Sequence, residues 1–156
     1  MTDATSTSRG FAGDCMVESA EGPVAMAETP GKGFAMLTRL PSGRLGFRQL
    51  IKVNVAGPVA LVRVVLDTGQ SAVVASGQTF YRVGMDPVRA DALRPGDLLE
   101  TAFHYPEGHV PRNAQRPVAT AIAVRAVEPA GEGQVWSGTV RETHALFLTA
   151  GVLCAE

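Results

Sequence analysis

Turn-forming residues interrupt this chain so often that no long helix fits between them. The 156 residues include 17 glycines and 10 prolines, and the short segments between them are rich in β-branched residues. Segments of this kind, bounded by clusters of Gly, Pro, Asp and Ser, are typical of β-strands. We therefore predict an all-β domain. The predicted strands are 15–19, 24–28, 34–40, 49–55, 59–67, 71–75, 118–127, 135–140 and 145–153.

Two hairpins are predicted in the middle of the chain. Ala56-Gly57-Pro58 is predicted to join strands 49–55 and 59–67, and the turn at 67–70 to lead into strand 71–75. A further turn is predicted at 131–133. The only predicted helical turn lies at 87–94, where Asp86 could cap it and Pro87 occupies the first helical position. The chain should therefore form short antiparallel strands with at most one short helical turn.

The composition predicts one domain preceded by an arm. Residues 1–13 are rich in Thr, Ser, Ala and Gly without periodicity, which indicates a flexible N-terminal arm. The domain is predicted to span residues 14–156. Within it, residues 104–117 contain three prolines and both His104 and His109, and we expect a long polar loop of the kind that often carries function.

Charge and hydropathy exclude some classes of protein. The formal net charge is -1 with scattered cations, so we expect no nucleic-acid partner. No apolar run approaches the roughly 18 residues of a membrane span, and the start lacks a signal segment. These features predict a cytoplasmic protein without membrane contact. No nucleotide fingerprint is present, and neither a particular partner nor an oligomeric state is indicated.

Three separated stretches carry a further pattern. The first begins at Cys15 and continues through Val17, Gly22, Val24 and Met26. The second contains Ala75-Ser76-Gly77-Gln78 and then Ala90-Asp91-Ala92-Leu93-Arg94-Pro95-Gly96-Asp97. The third runs from Val135-Trp136 through His144 to Cys154-Ala155. Together, and in this order, they resemble the hedgehog/intein (Hint) autoprocessing family. The resemblance implies a β horseshoe that brings the two ends of the domain together.

The resemblance also implies a chemistry. In that family a Cys attacks the preceding carbonyl to form a thioester, a mid-domain Thr-x-x-His motif assists, and a terminal Asn after a His cyclises. Carried over, Cys15 is the nucleophile acting on the Asp14–Cys15 bond. His144 matches the His of the closing strands.

The chain departs from the family at most of the remaining positions. Ala75 and Gln78 stand where Thr and His are expected, and an amide cannot titrate. Cys154 and Ala155 stand where the terminal His and Asn are expected. Asparagine cyclisation is therefore chemically excluded at Ala155, and Cys15 and His144 are predicted to be vestigial catalytic residues.

If the ends meet as the resemblance implies, Cys15, Cys154 and His144 lie close together. Such a set could bind zinc or allow a reversible disulfide between the cysteines. The alternative is two unrelated buried thiols, since free Cys behaves as a small apolar side chain. No other cofactor is indicated.

Three hypotheses follow for the function. The first is a stand-alone degenerate Hint domain that cannot splice and acts as a structural module or binds a protein partner. The second is residual autoproteolytic cleavage at Asp14–Cys15 through a Cys15 thioester. The third is an unrelated small all-β binding protein, with the loop at 104–117 as its recognition element.

Overall fold

The computed structural model of the chain describes residues 9–101 and 121–156. Across these two ranges the regular structure is twelve β-strands and two 3-10 turns, at Met26–Glu28 and Ala90–Ala92, so the predicted all-β class is confirmed. The strands are β1 (Phe11–Ala12), β2 (Met16–Ser19), β3 (Gly22–Ala25), β4 (Ala35–Arg39), β5 (Leu45–Leu66), β6 (Ser71–Ala75), β7 (Thr79–Arg82), β8 (Asp86–Arg89), β9 (Leu98–Leu99), β10 (Ile122–Val140), β11 (Ala145–Phe147) and β12 (Leu153–Ala155).

All strands join one antiparallel sheet. Its order is β11-β12-β7-β9-β10-β1-β6-β5-β4-β2-β3, with β8 paired to β7 and β10 paired also to β5. The first and last strands, β1 and β12, therefore both lie inside this order rather than at its margins. Each is flanked by strands on both sides, which fixes the two ends of the described chain.

The longest feature is a ribbon made by β5 and β10. β5 continues through Gly57-Pro58, and its partner is β10 over almost its whole length, so the predicted hairpin of 49–55 with 59–67 is wrong. The predicted turn at 131–133 is also wrong, because those residues lie within β10. Both stretches of turn residues fall beside shifts in the register between the strands. A bulge accepts Gly and Pro without ending a strand, which explains the continuity.

The second predicted hairpin is confirmed, since β6 pairs with β5 from Ser71 opposite Val65 to Ala75 opposite Leu61. The helical turn predicted at 87–94 is partly wrong. Pro87 lies in strand β8, opposite Tyr81 of β7, and only Ala90–Ala92 form a 3-10 turn. Among the described strands, β8 pairs only with β7, and an edge position tolerates the missing N–H of proline.

The sheet begins before the predicted start of the domain at Asp14. Phe11 and Ala12 form β1 and are buried, with Phe11 opposite Trp136 of β10 on one side and Val74 of β6 on the other. Residues 9–13 therefore do not belong to a flexible arm. The apolar Phe11 has 0 % exposure, and burial of this side chain explains why the strand forms.

The main hydrophobic core draws residues from most of the strands and contains both cysteines. Among the described residues we find no helix with the length and apolar character needed to cross a membrane. The loop predicted at 104–117, with His104 and His109, lies outside the described residues.

Candidate functional site

Gln78 occupies the tight connection between β6 and β7. Two backbone hydrogen bonds hold it: its own N–H donates to Ala75 O at 2.9 Å and its carbonyl accepts from Ala90 N at 2.8 Å. Just before it, Ser76 N donates to Ala60 O at 3.0 Å. The side chain of Gln78 is completely buried. A buried amide must find partners for both its donor and its acceptor atoms.

The Gln78 amide finds those partners at opposite ends of the chain. Its Oε1 accepts a 2.8 Å hydrogen bond from Gly10 N, and its Nε2 donates to Ala155 O at 2.7 Å and to Thr79 O at 3.2 Å. One orientation of the amide satisfies all three contacts. Gln78 therefore joins the first strand region to the last residue of β12.

Gly10 is held tightly where it meets Gln78. Its carbonyl accepts a 2.9 Å hydrogen bond from Ala75 N, so the residues at the expected Thr and His positions both contact Gly10. Its φ is +128°, and a Cβ atom placed on it would lie 2.9 Å from Val135 Cβ and 3.0 Å from Trp136 O. Only glycine fits this conformation and this space.

The side chain of His144 turns away from this contact. It is 64 % exposed, and its Nδ1 lies 2.9 Å from Glu156 Oε1. Glu156 in turn donates its N–H to His144 O at 3.1 Å and accepts from Val140 N through Oε2 at 2.6 Å. The His144 ring therefore holds the chain after Ala155 and forms no described hydrogen bond with the Gln78 amide.

Cys15 lies in the connection between β1 and β2, five residues after Gly10. Its N–H donates to Ala12 O at 3.0 Å and its carbonyl accepts from Met26 N at 3.0 Å. Burial, and secondarily the charge of Asp14, raise the pKa of its thiol from 9.0 to about 12. Among the described residues no hydrogen bond links Cys15 to Gln78, whose Oε1 accepts from Gly10 N instead.

Cys154 is fully buried in β12, opposite Leu146 of β11 and Phe80 of β7. Burial first, and then the proximity of Cys15, raise the pKa of its thiol well above the ordinary value. Both thiols are free and belong to one core cluster, without the His144 ring. In the described ranges, no three His, Cys, Asp or Glu side chains are arranged to hold a metal ion.

Charged residues next to Gly10 and Ala155 both act on Tyr81. Burial raises the pKa of Tyr81, the charges of Cys154 and Glu156 raise it further, and the charge of Arg9 lowers it. Arg9 precedes Gly10, and Glu156 follows Ala155. The charges of both residues that flank the Gln78 contacts therefore influence the same phenol.

Sequence reasoning brought together Gln78 and Ala155 but missed Gly10. Cys15 is predicted as the nucleophile because its side chain is a thiol. Gly10 has no side chain and therefore no reactive group that would identify it. The signal that could have found it is the buried Phe11-Ala12 pair directly after it, since strand pairing of these residues places Gly10 beside the mid-domain motif.

No protein-family model matches the chain, and no curated protein matches it. Several solved structures do. They include a bacterial intein-like domain from Clostridium thermocellum, with 16% identity, 96% of this chain and 100% of that chain covered and a TM-score of 0.77. A DnaB intein from Synechocystis sp. PCC 6803 has 14% identity, 96% and 99% coverage and a TM-score of 0.74. The gp41-1 intein has 11% identity, 96% and 100% coverage and a TM-score of 0.68. The chain therefore has an intein-like fold.

Proposed function

We propose that this chain is an intein-like domain that does not process itself and acts as a structural or binding module. The observation that carries the proposal is the contact of Gln78 with Gly10 N and Ala155 O. Where the family joins a nucleophile, an acid–base group and a cyclising residue, this chain joins a glycine, an amide and an alanine.

The proposal places the nucleophile position at Gly10 and not at Cys15. The resemblance gives the residues at positions 75 and 78 the task of acting on the scissile peptide. Here both contact Gly10 through backbone or side-chain hydrogen bonds. The corresponding bond is Arg9–Gly10, and a glycine has no side chain with which to attack it.

The other groups at the site support the same interpretation. An amide at Gln78 can accept from the Gly10 N–H but cannot donate a proton to a leaving amine at any ordinary pH. Ala155 offers no side chain for cyclisation. In a self-processing domain the residues at these positions would take part in catalysis. In this chain the contacts of Gln78 with Gly10 and Ala155 instead hold the two ends of the domain together.

Residual cleavage at Asp14–Cys15 has less support. The attacking species would be a thiolate, yet burial holds the pKa of Cys15 at about 12. The amide N–H of Cys15 donates to Ala12 O, and no described side chain forms a hydrogen bond with this nitrogen through which a leaving amine could be protonated. A zinc role for Cys15, Cys154 and His144 also lacks support, because the imidazole lies against Glu156.

An unrelated all-β protein with a chance likeness is the remaining alternative. Coverage of nearly the whole of this chain and of each intein neighbour favours a common fold over a local likeness. We further propose that the domain includes Phe11 and Ala12, since β1 is part of the sheet. A protein partner is the ligand that a binding module of this kind requires.

Intact-mass spectrometry of the full chain tests the proposal. We expect the mass to stay unchanged for days with dithiothreitol or hydroxylamine. Fragments cut between Asp14 and Cys15 that disappear in Cys15→Ala would overturn it. Cys154→Ala is the matched control, because it removes the other buried thiol.

A gain-of-function variant tests the position of the nucleophile. Gly10→Cys with Gln78→His introduces both groups, and Val135→Gly removes the side-chain atoms nearest to the new Cβ. The new side chain still meets Trp136 O and a φ of +128°, so we expect this variant to be less stable than wild type. We expect thiol-dependent cleavage between Arg9 and Gly10 that Cys15→Ala leaves unchanged. Cleavage that moves to Asp14–Cys15 would place the nucleophile at Cys15 after all.

A further inference from the structure

A cleft of about 330 Å³ opens beside β6, at the point where β1 ends. Its walls come from segments 14–16, 70–73 and 148–150, with Arg63 at one side. It is thus separate from the contacts of Gln78. Apolar lining from Met16, Val73 and Leu148 lies beside polar groups, as is usual for ligand sites.

The floor of the cleft is an uncovered strand edge. On one side, β6 pairs with β5 over all of Ser71–Ala75. On the other side, its only pairing among the described residues is Val74 with Phe11 of β1. Since Ala12 follows Phe11 in β1 and lies opposite Val73 in the same antiparallel register, Ser71 and Ala72 are the residues of β6 without a described strand neighbour on the cleft side.

The hydrogen-bond alternation shows which groups face the cleft. Leu66 N donates to Gln70 O and Ser76 N donates to Ala60 O, so the even-numbered residues between them bond to β5. The odd-numbered residues face the other way, as Ala75 does when it donates to Gly10 O. The N–H group of Ser71 therefore points into the cleft, whereas that of Val73 faces Ala12 of β1.

Charged groups without partners stand at the cleft. Arg63 and Asp14 are exposed, and neither forms an ion pair or side-chain hydrogen bond with a described residue. Glu128 lies directly opposite Arg63 in the register of β10, yet no ion pair joins them. The Thr149 hydroxyl is buried without a hydrogen-bond partner in the described structure. Such an unpaired polar atom costs free energy unless a ligand or water satisfies it.

We propose that this cleft binds an extended segment of a partner protein, which pairs with the free edge of β6 at Ser71–Ala72, beyond the end of β1. One acidic side chain of the segment pairs with Arg63 and one basic side chain pairs with Asp14. Recognition by strand addition takes affinity from main-chain hydrogen bonds and specificity from side-chain contacts. The inference rests on the binding role proposed above, although it does not depend on the residues at the nucleophile position.

The chemistry of the cleft favours a peptide. An exposed strand edge repeats its donors and acceptors at the spacing of an extended backbone. Arg63 and Asp14 offer one charge of each sign, whereas a phosphate backbone would require several cations and no nearby carboxylate. The apolar lining suits alternate side chains of an added strand.

Nuclear magnetic resonance of the full, ¹⁵N-labelled chain tests this. The probe is an acetylated and amidated hexapeptide, Lys-Val-Thr-Val-Glu-Val. We expect saturable shifts at the amides of Ser71, Ala72 and Thr149. Arg63→Ala should weaken binding about threefold, while Arg44→Ala, an exposed arginine outside the cleft, should leave it unchanged.

Two control peptides give the experiment its decisive outcomes. A backbone N-methylated version keeps the side chains but loses the donors, and should not bind. A version with Gln in place of Glu should bind wild type and Arg63→Ala equally. The proposed peptide site is wrong if the methylated peptide binds as tightly as the unmethylated peptide. It is also wrong if no saturable shifts appear at millimolar concentrations of the unmethylated peptide. Neither outcome would bear on self-processing, which intact-mass spectrometry measures separately.

Discussion

The side-chain amide of Gln78 donates a 2.7 Å hydrogen bond to the carbonyl oxygen of Ala155, which lies 77 residues further along the chain. The same amide accepts from Gly10 N, so one side chain spans the two ends of the domain. All of its contacts are to backbone atoms. The contact depends on the fold of these segments, and not on the side chains at positions 10 and 155.

Replacement of Gln78 by methionine should destabilise the domain strongly. Methionine fills a similar volume but leaves Gly10 N and Ala155 O unpaired in a buried place. We expect the free energy of unfolding to fall by about 3 kcal/mol. Urea denaturation measures this, with Gln134→Met at an exposed position of β10 as control. An equal effect of both substitutions would mean that the Gln78 contacts do not stabilise the fold.

Replacement of Gly10 by alanine should also be costly, for two separable reasons. Gly10 has a φ of +128° and its Cβ would crowd Val135 and Trp136, whereas Gly22 has a φ of +94° and open space around it. Gly22→Ala therefore reports backbone strain alone. We expect Gly10→Ala to cost about 2 kcal/mol more than Gly22→Ala in thermal or urea unfolding. Equal costs would show that the site has room for a side chain.

The thiol of Cys15 should react slowly in the folded protein. A pKa of about 12 lowers the thiolate fraction roughly a thousandfold relative to an ordinary thiol, and Cys154 is more deeply buried still. Alkylation by iodoacetamide at neutral pH should therefore be slow without urea and fast with it. Mass spectrometry of tryptic peptides assigns each site. Rapid labelling of Cys15 in the native state would contradict this prediction and support Cys15 as a nucleophile.

Stability should fall at alkaline pH because of the same thiols. The unfolded Cys15 thiol ionises near 9.0 and the folded one at about 12, so the folded state binds more protons between these values. The stabilisation is complete below pH 9 and declines above it, by up to about 1.4 kcal/mol per pH unit for each buried cysteine. Urea titrations at pH 8, 9 and 10 measure the slope. Cys15→Ala should flatten it, and an unchanged slope would assign the effect to other groups.

Much of the fold could be predicted from the sequence because local chemistry and tertiary pairing agreed. The hairpin at Ser71 is an example, since the preceding turn residues and the β-branched strands all favour the same structure. The prediction failed at Ala56-Gly57-Pro58, where turn residues lie inside β5. Their chemistry is that of a turn, but the long-range partner β10 keeps the chain extended.

Glycine 57 shows why local rules could not decide that case. A Cβ atom at Gly57 would lie 2.9 Å from the carbonyl oxygen of Gly133, in the opposite strand. The glycine permits close approach of two backbones, whereas its sequence context suggests only a reversal of direction. Which of the two roles applies depends on a residue 76 positions away, and one sequence does not contain that pairing.

The candidate site, like the fold, could be predicted from the sequence only in part. The positions of Ala75, Gln78 and Ala155 could be read from ordered motifs, because those motifs sit next to recognisable strands. The contact of Gln78 with Gly10 could not be predicted. The nucleophile position was assigned from side-chain reactivity, which favours Cys15. Every residue except proline can donate a hydrogen bond from its backbone N–H. The residue type at position 10 therefore does not show that Gly10 is the donor to Gln78.

The position of Gln78 between Gly10 and Ala155 also has a mechanical consequence. A force that pulls the two ends of the described chain apart acts first on the contacts of the terminal residues, which are the bonds of Glu156 with His144 and Val140 and the bonds of Gly10 with Ala75 and Gln78. Only after these bonds break does tension reach β1 and β12, each of which lies between two neighbouring strands. In a polypeptide under load, the domain would then lengthen in a step that begins at these terminal contacts, before its core is exposed.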